Sequence, residues 1–330
     1  MRPPEVGGRF DQRFFLPWWP ARQSPIFMFR HLGVSIDSSD HCSDAAIRAL
    51  EFAVGNGARV SLWYGQPVPD DPLVKAYCDH RASEALTRAE AAAQAMGVPC
   101  RAAALFAEQP ARGILDAAKS SGCDVVVMAH DPGELAIRGS VASNLLSLAQ
   151  VPVLTPGRPA RIAALDLLRA EYRRLADLLQ QWLSLSRSRA RGEPNLRAHR
   201  VSMLAAVAHI RRTVHPLQRC KEISLCGPLR RRVDSLRAEI DELLLLGQRE
   251  RELLVEIELK LAHPLGTEST VVDLSSALRS YAHLVWTARG REEGIVLPAA
   301  RRHLTTLDWD RLHARFIIAL HTSDGATRGM

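Results

Sequence analysis

The stretch from Cys123 to Gly157 constrains the fold of this chain more than any other part of it. It opens with four apolar residues, Val125 to Met128, and such a short β-branched run is typical of a strand buried on both faces of a parallel sheet. A polar segment follows, and from Ser140 onward apolar residues recur at helical spacing. A second apolar run, Val151 to Leu154, completes a βαβ unit. In such units ligands bind beyond the carboxyl end of the first strand, so we look for function there.

The same alternation of short apolar runs and helical patterns extends back to residue 28. We predict further strands at Leu32–Ile36, Val60–Tyr64 and Val98–Leu105, and helices at Ala45–Ala53, Lys75–Ala95 and Arg112–Ser120. Strands that alternate with helices at this spacing predict a doubly wound parallel sheet. Residues 28–157 are therefore predicted to form an α/β domain.

Several passages of this segment resemble a universal stress protein domain. Ile36 to Asp40 is similar to the opening strand of that family, and Asp37 matches the Asp that contacts the nucleotide in binding members. Gln109 to Leu115, followed by Gly122 to Met128, is similar to the third helix and fourth strand of the family. Their order and spacing extend over a domain's length. The resemblance implies a homodimer, often formed through the last strand, here Val151 to Leu154.

The nucleotide loop departs from the pattern of the family. Members that bind ATP carry Gly, two residues, Gly, nine residues, then Gly-Ser or Gly-Thr, so that backbone N–H groups can approach phosphates. Here the first two glycine positions hold Ala129 and Pro132, and proline has no N–H to donate. We therefore expect a degraded site, with no cofactor, and keep ATP or AMP as the alternative. The resemblance implies these residual site residues: Asp37, Ala129, Gly133, Gly139 and Ser140. Ser140 also suits a plain helix N-cap.

After Arg158 the apolar pattern changes to a period of about 3.5 residues. The first stripe comprises Leu165, Leu168, Tyr172, Leu175, Leu179 and Trp182. Further helices are predicted at Leu196–Val214, Leu229–Ala262, Val271–Arg291 and Leu307–Leu320. Long helices with short links predict that residues 158–325 form an all-α up-down four-helix bundle.

This predicted bundle resembles a hemerythrin-type HHE cation-binding domain in three passages: Leu168–Tyr172, Val214–Gln218 and Tyr281–Leu304. In metal-binding members, imidazoles and carboxylates from all four helices hold two irons, which require several N and O donors. Carried onto this sequence, the ligand positions hold Tyr172, His215, Gln218, Val233, Ala288 and Glu292. Val and Ala cannot coordinate a metal. We therefore expect no metal at these vestigial positions, no di-iron centre, and a hydrogen bond between His215 and Glu292 instead.

Length and charge place limits on the remaining function classes. At 330 residues the chain suits two domains. Its net charge of +7 is attributed to solvated helix faces, so nucleic-acid binding is not expected. No apolar run is long enough to span a membrane, and six cysteines without a CxxC pair suit reduced thiols in the cytoplasm. Residues 1–27 are predicted to be a poorly ordered extension, with Met28 as an alternative start.

No catalytic constellation is evident, because G-x-S-x-G is absent and the carboxylate pairs lie adjacent on helices. We expect a non-enzymatic stress-response or regulatory protein that dimerises or docks protein partners through its α/β domain, with the bundle used for protein contact. Two alternatives stay open: a stress sensor that binds an adenine nucleotide, and an iron- or oxygen-sensing hemerythrin-like protein.

Overall fold

The computed structural model of the chain describes residues 29–37, 40–69, 72–128, 140–156, 162–187, 199–263 and 268–325. The predicted extension at residues 1–27, and with it the alternative start at Met28, lies outside the described residues.

The N-terminal half contains a five-stranded parallel sheet. The strands are β1 His31–Ile36, β2 Arg59–Gln66, β3 Cys100–Phe106, β4 Val125–Met128 and β5 Val153–Leu154. Their order across the sheet is β3-β2-β1-β4-β5, and every neighbouring pair is parallel. The predicted parallel α/β sheet is confirmed, with strand ends that differ from the prediction by two residues or fewer.

Among the described residues, four helices cover the two faces of this sheet: α1 Asp40–Asn56, α2 Pro72–Ala95, α3 Pro110–Ser121 and α4 Val141–Leu148. Leu50 of α1 and Ala89 of α2 pack with Val127 on one face. Ile114 of α3 and Leu145 of α4 pack on the other. The chain thus leaves β1 towards one face and β4 towards the other. This reversal opens a crevice beyond their carboxyl ends, where ligands bind in sheets of this kind.

The described residues of the C-terminal half are helical. The helices are α5 Ala163–Arg187, α6 Arg200–His209, α7 His215–Lys221, α8 Gly227–Arg232, α9 Arg237–Ala262, α10 Glu268–Arg291, α11 Leu297–His303 and α12 Thr306–Gly325. All six residues of the predicted first stripe are buried. The arrangement as an up-down four-helix bundle, and the division at residue 157, stay predictions.

Two predicted helix ends differ from the observed ends by more than five residues. The helix expected to stop at Val214 continues in helical form to Arg232, and the next one begins at Arg237 and not at Leu229. The interruption falls at Val233, whose backbone is extended at φ −131° and ψ 95°. The helix passes Pro216 and Pro228 without ending.

Three π-helical turns among the described residues allow the helices to continue past these prolines. They span Ile210–Val214, Glu222–Cys226 and Glu292–Val296. In each, the residue after the turn donates its N–H to the carbonyl five residues back, and a proline comes next. Proline lacks an N–H and its ring clashes with the carbonyl four residues back. A widened turn relieves that clash, so the helix passes each proline without ending.

Helices α2 and α10 join the two halves of the chain through a backbone contact. A Cβ added to Gly290 would lie 2.3 Å from the carbonyl oxygen of Ala91, and one added to Gly294 would lie 3.0 Å from that of Ala92. Real Cβ atoms do not approach a carbonyl oxygen as closely as the first distance. The absence of a side chain at Gly290 therefore sets how near the helical half lies to the sheet half.

Among the described helices, none combines the length and the apolar character that a membrane crossing requires.

Replacing Gly290 with Ala should lower the free energy of unfolding by about 1–3 kcal/mol, because the new methyl group must push α2 and α10 apart. Gly55→Ala is the matched control. Nothing lies within 4 Å of a Cβ at that helical position, so the change should stabilise the chain by up to about 1 kcal/mol. Urea unfolding of both variants measures the difference. Equal stability of the two variants would contradict the proposed backbone contact.

Candidate functional site

The carboxyl edge of the sheet carries two of the five predicted nucleotide-site residues. Asp37 directly follows β1 and is exposed. Ser140 is the N-cap of α4, with its hydroxyl oxygen accepting the N–H of Ser143 at 3.1 Å. Ala129, Gly133 and Gly139 lie outside the described residues.

These two residues belong to neighbouring strands. β1 and β4 pair in parallel, so Asp37 and the connection that leads to Ser140 both leave the sheet at the same edge. That edge is the crevice where the chain reverses direction. The observed cap gives Ser140 a structural role at the start of α4, a helix end that lies beside the same crevice.

A second concentration of polar groups lies inside the helical half, and we name it the buried polar cluster: Tyr172, Lys221, Arg289 and Glu292. Each of the four side chains belongs to a residue less than 9% exposed. Tyr172 donates its hydroxyl to Glu292 Oε1 at 2.5 Å, and Lys221 Nζ lies 2.6 Å from Glu292 Oε2. Lys221 also donates to the Tyr172 oxygen at 2.5 Å. Both carboxylate oxygens of Glu292 are therefore bonded within the protein.

Arg289 covers the remaining side of this cluster. Its guanidinium carbon lies 3.4 Å from the centroid of the Tyr172 ring, within the range of a cation–π contact. Its Nη1 lies 3.3 Å from Glu292 Oε2. Two cations thus face one carboxylate and one aromatic ring.

Burial and neighbouring charge oppose each other in this cluster. Burial acts to raise the pKa of the Glu292 carboxyl, but Lys221 and Arg289 outweigh it and hold that pKa below its ordinary value. Burial raises the pKa of Tyr172 well above its usual range, so the phenol remains neutral and donates. The cluster therefore contains an ionised carboxylate held by two cations and a phenol.

Three further buried residues, Gln218, Glu250 and Tyr281, form a second hydrogen-bonded group. Gln218 Nε2 donates to Glu250 Oε2 at 2.8 Å, and the Tyr281 hydroxyl lies 3.4 Å from Glu250 Oε1. Because the amide nitrogen must face the carboxylate, the amide oxygen of Gln218 points elsewhere. Gln218 and Glu250 line a cavity of about 40 Å³ together with Arg289 and Glu292. This cavity has room for water.

The predicted hydrogen bond between His215 and Glu292 is wrong. Lys221 reaches Glu292 instead, and within the described part of the chain His215 Nε2 has no hydrogen-bond partner. Burial, followed by the charges of Arg251 and two other arginines, lowers the pKa of His215 to about 4. His215 therefore lies in positive surroundings as a neutral imidazole.

These residues do not fit a di-iron centre. Of the vestigial positions, Tyr172 and Glu292 meet, Gln218 bonds to Glu250, and His215 stands apart. An ammonium lies on Glu292, where a metal ion would have to bind. Across the described residues, no group of three or more His, Cys, Asp or Glu side chains is placed to hold a metal.

Lys221, Arg289 and Glu250 were not among the residues predicted from the sequence to form a site. A weak signal for two of them was present, since Lys221 follows Gln218 by three residues and Arg289 precedes Glu292 by three. On a helix, residues three apart share a face. A charged residue on a buried helix face is usually paired with another polar group. This rule could have identified Lys221 and Arg289 as members of a buried ion pair.

Comparison with known proteins reveals similarity in the sheet half. The model of the universal stress protein family matches residues 28–155. A Thermus aquaticus relative, described as a universal stress protein in QAH/OAS sulfhydrylase 3'region, is 35% identical over 136 residues, covering 38% of this chain and 98% of the relative. The helical half lies outside these matches.

Solved structures of the same family are also similar to this half. One is a protein from the universal stress protein family of Burkholderia pseudomallei, with 29% identity, coverage of 39% of this chain and 96% of that chain, and a TM-score of 0.33. Another is the universal stress protein from Archaeoglobus fulgidus in complex with dAMP, with 24% identity, coverage of 39% and 98%, and a TM-score of 0.32.

Removing the carboxylate of the buried polar cluster should destabilise the chain more than removing its lysine. Glu292→Gln leaves two buried cations without a counter-charge and should cost about 3–5 kcal/mol of unfolding free energy. Lys221→Met leaves Glu292 paired with Arg289 and Tyr172, so its cost should be smaller. Urea unfolding at pH 7 compares them, and the reverse order would refute this description of the cluster.

Proposed function

We propose that this chain, which belongs to the universal stress protein family through residues 28–155, is a stress-response protein that works by associating with protein chains and not by catalysis. Membership of the family supports the role in the stress response. The mode of action is inferred from the surface of the sheet half and from the closed chemistry of the helical half.

The edge of the sheet at β5 carries the proposal. This strand pairs with β4 on one side, and among the described strands none pairs with its other side. Four large apolar side chains on β5 and the adjoining α4 are between 37% and 45% exposed: Val141, Leu146, Leu148 and Leu154. Unpaired edges and exposed apolar patches are features of association surfaces. We infer that two copies of the chain pair across this edge.

The helical half supports a role in contact and not in chemistry. Its buried polar cluster bonds both carboxylate oxygens of Glu292 within the protein, and the pKa of the Cys226 thiol, which lines the same small cavity, is raised to about 12 by burial. A buried neutral thiol is a poor nucleophile. We propose that this half is a contact module without a metal centre. Iron sensing, the other interpretation of its sequence, conflicts with the ammonium on Glu292.

Adenine-nucleotide binding is the second candidate function. It is favoured by the position of Asp37 and Ser140 at one crevice of the sheet. It is opposed by Pro132, which removes an N–H from the sequence position that a phosphate-binding glycine occupies. Association remains the leading proposal, because the β5 edge and its exposed apolar side chains have the features of a contact surface.

A charge introduced on the β5 edge should weaken self-association. Leu154→Lys places an ammonium in the proposed contact and should raise the dimer dissociation constant at least about tenfold, since a buried unpaired charge is costly. Val201→Lys on α6 is the matched control, because Val201 is 77% exposed far along the chain from the edge. Light scattering coupled to size exclusion measures the mass. A monomeric native chain, or an unaffected Leu154→Lys dimer, would overturn the dimer surface.

Titration calorimetry with ATP, ADP and AMP decides between the two candidate functions. The leading proposal predicts millimolar binding or none, because a proline interrupts the phosphate-binding pattern. Micromolar binding that is lost in Asp37→Ala would establish the nucleotide-binding alternative. Iron content of the purified protein is measured in parallel, and near-stoichiometric iron would refute the contact-module proposal for the helical half.

A further inference from the structure

A cavity of about 190 Å³ lies at the junction of the two halves, and we name it the junction cavity. Its lining comes from α1 and α2 on the sheet side, and from α5, α11 and the π-helical turn before α11 on the helical side. Ligand sites are frequent at such boundaries between units. Its lining contains neither Asp37 nor Ser140, and none of the four residues of the buried polar cluster.

The lining is rich in guanidinium groups. Five arginines contribute to it: Arg48, Arg88, Arg169, Arg301 and Arg302. The acidic members are Asp44, Glu51 and Glu293. The lining therefore has two positive charges in excess. Ile47, Leu297 and Pro298 supply an apolar wall.

The carboxylates of the lining are unequally shared among these arginines. Arg169 engages both oxygens of Asp44 in a two-pronged pair, one prong of which measures 3.2 Å. Arg301 reaches the same carboxylate at 3.5 Å, and Arg88 Nε lies 3.8 Å from Glu293. These two distances exceed the 2.7–2.9 Å of a strong charge-assisted hydrogen bond.

Two of these arginines make further contacts. Arg88 bonds to the Ser43 hydroxyl and lies 3.7 Å from Glu84, which stands outside the lining. Arg302 bonds to Glu51, and its side chain is still 60% exposed. These contacts hold the guanidinium groups in place around the cavity.

The pKa of Arg301 is lowered in this setting. Burial is the main cause that lowers its pKa. Asp44 opposes this effect, while the neighbouring charges of Arg169 and Arg48 add to it. Because the lining holds five arginines and three carboxylates, its excess of positive charge favours an anion in the cavity. A bound oxyanion would reduce this excess and would contact arginines from both halves at once.

We propose that the junction cavity binds a phosphate group of a small phosphorylated molecule and thereby ties the helical half to the sheet half. Arginine is suited to this ligand, because its planar fork meets phosphate oxygens in pairs and keeps its charge when partly buried. The apolar wall accommodates a non-polar part of the same molecule. This inference goes beyond the proposed function, which needs no ligand at the junction.

Titration calorimetry of the full chain with inorganic pyrophosphate, at constant ionic strength, tests the proposal. We expect saturable binding at one site per chain. The double variant Arg301→Gln/Arg302→Gln should weaken it at least about tenfold, since two charge-assisted contacts are lost. Arg249→Gln, an exposed position on α9 outside the lining, is the matched control and should bind like the native chain.

A variant with the opposite expected effect guards against loss of binding through misfolding. Glu51→Gln removes a competing carboxylate from the lining and should tighten pyrophosphate binding several-fold. No saturable binding by the native chain, equal affinity in the double arginine variant, or weaker binding in Glu51→Gln would each overturn the proposal.

Parallel titrations identify the source of the phosphate. Orthophosphate and ADP are compared with pyrophosphate in the native chain and in Asp37→Ala. Binding that is insensitive to Asp37→Ala but lost with the two arginines belongs to the junction cavity. Binding that is lost only in Asp37→Ala belongs to the sheet edge and counts against the junction proposal.

Discussion

The backbone contact between α2 and α10 is the constraint on which the arrangement of the molecule depends. Gly290 brings its helix against the carbonyl of Ala91, a distance that no other residue would allow. Because these helices meet at the backbone, the side chains around them are also brought across the junction. Asp44 meets Arg169, and Glu51 meets Arg302, through that same proximity. The junction cavity is a consequence of this close approach.

The buried polar cluster illustrates how a helical core can hold charge without a metal. Lys221 contributes a positive charge against Glu292, and the Tyr172 hydroxyl occupies the other oxygen of that carboxylate. Desolvation of such a group is costly, and the short contacts offset that cost only while every partner is present. The cluster is therefore a buried network in which Glu292 is bonded through both of its carboxylate oxygens.

The prolines of the helical half contribute to the same element. Lys221 directly precedes one widened turn, and Glu292 begins another. In these turns the side chains rotate relative to an ordinary α-helix, because five residues and not four separate each donor from its acceptor. Prolines that ordinarily end helices thus coincide here with the placement of the cluster's charged residues. The helices continue past these prolines, so the ends predicted from the sequence are misplaced.

Sequence alone determined the sheet, its strand positions, the family of residues 28–155 and the buried stripe that includes Tyr172, because apolar periodicity records which face of an element is covered. It also indicated the cap at Ser140, since a cap is a local interaction. Only the tertiary structure decided that Lys221 meets Glu292 across 71 residues and that Gly290 meets Ala91. Apolar periodicity indicates that a face is buried, but it does not identify the distant group that packs against that face. For that physical reason the buried polar cluster and the junction cavity could be identified only from three-dimensional contacts.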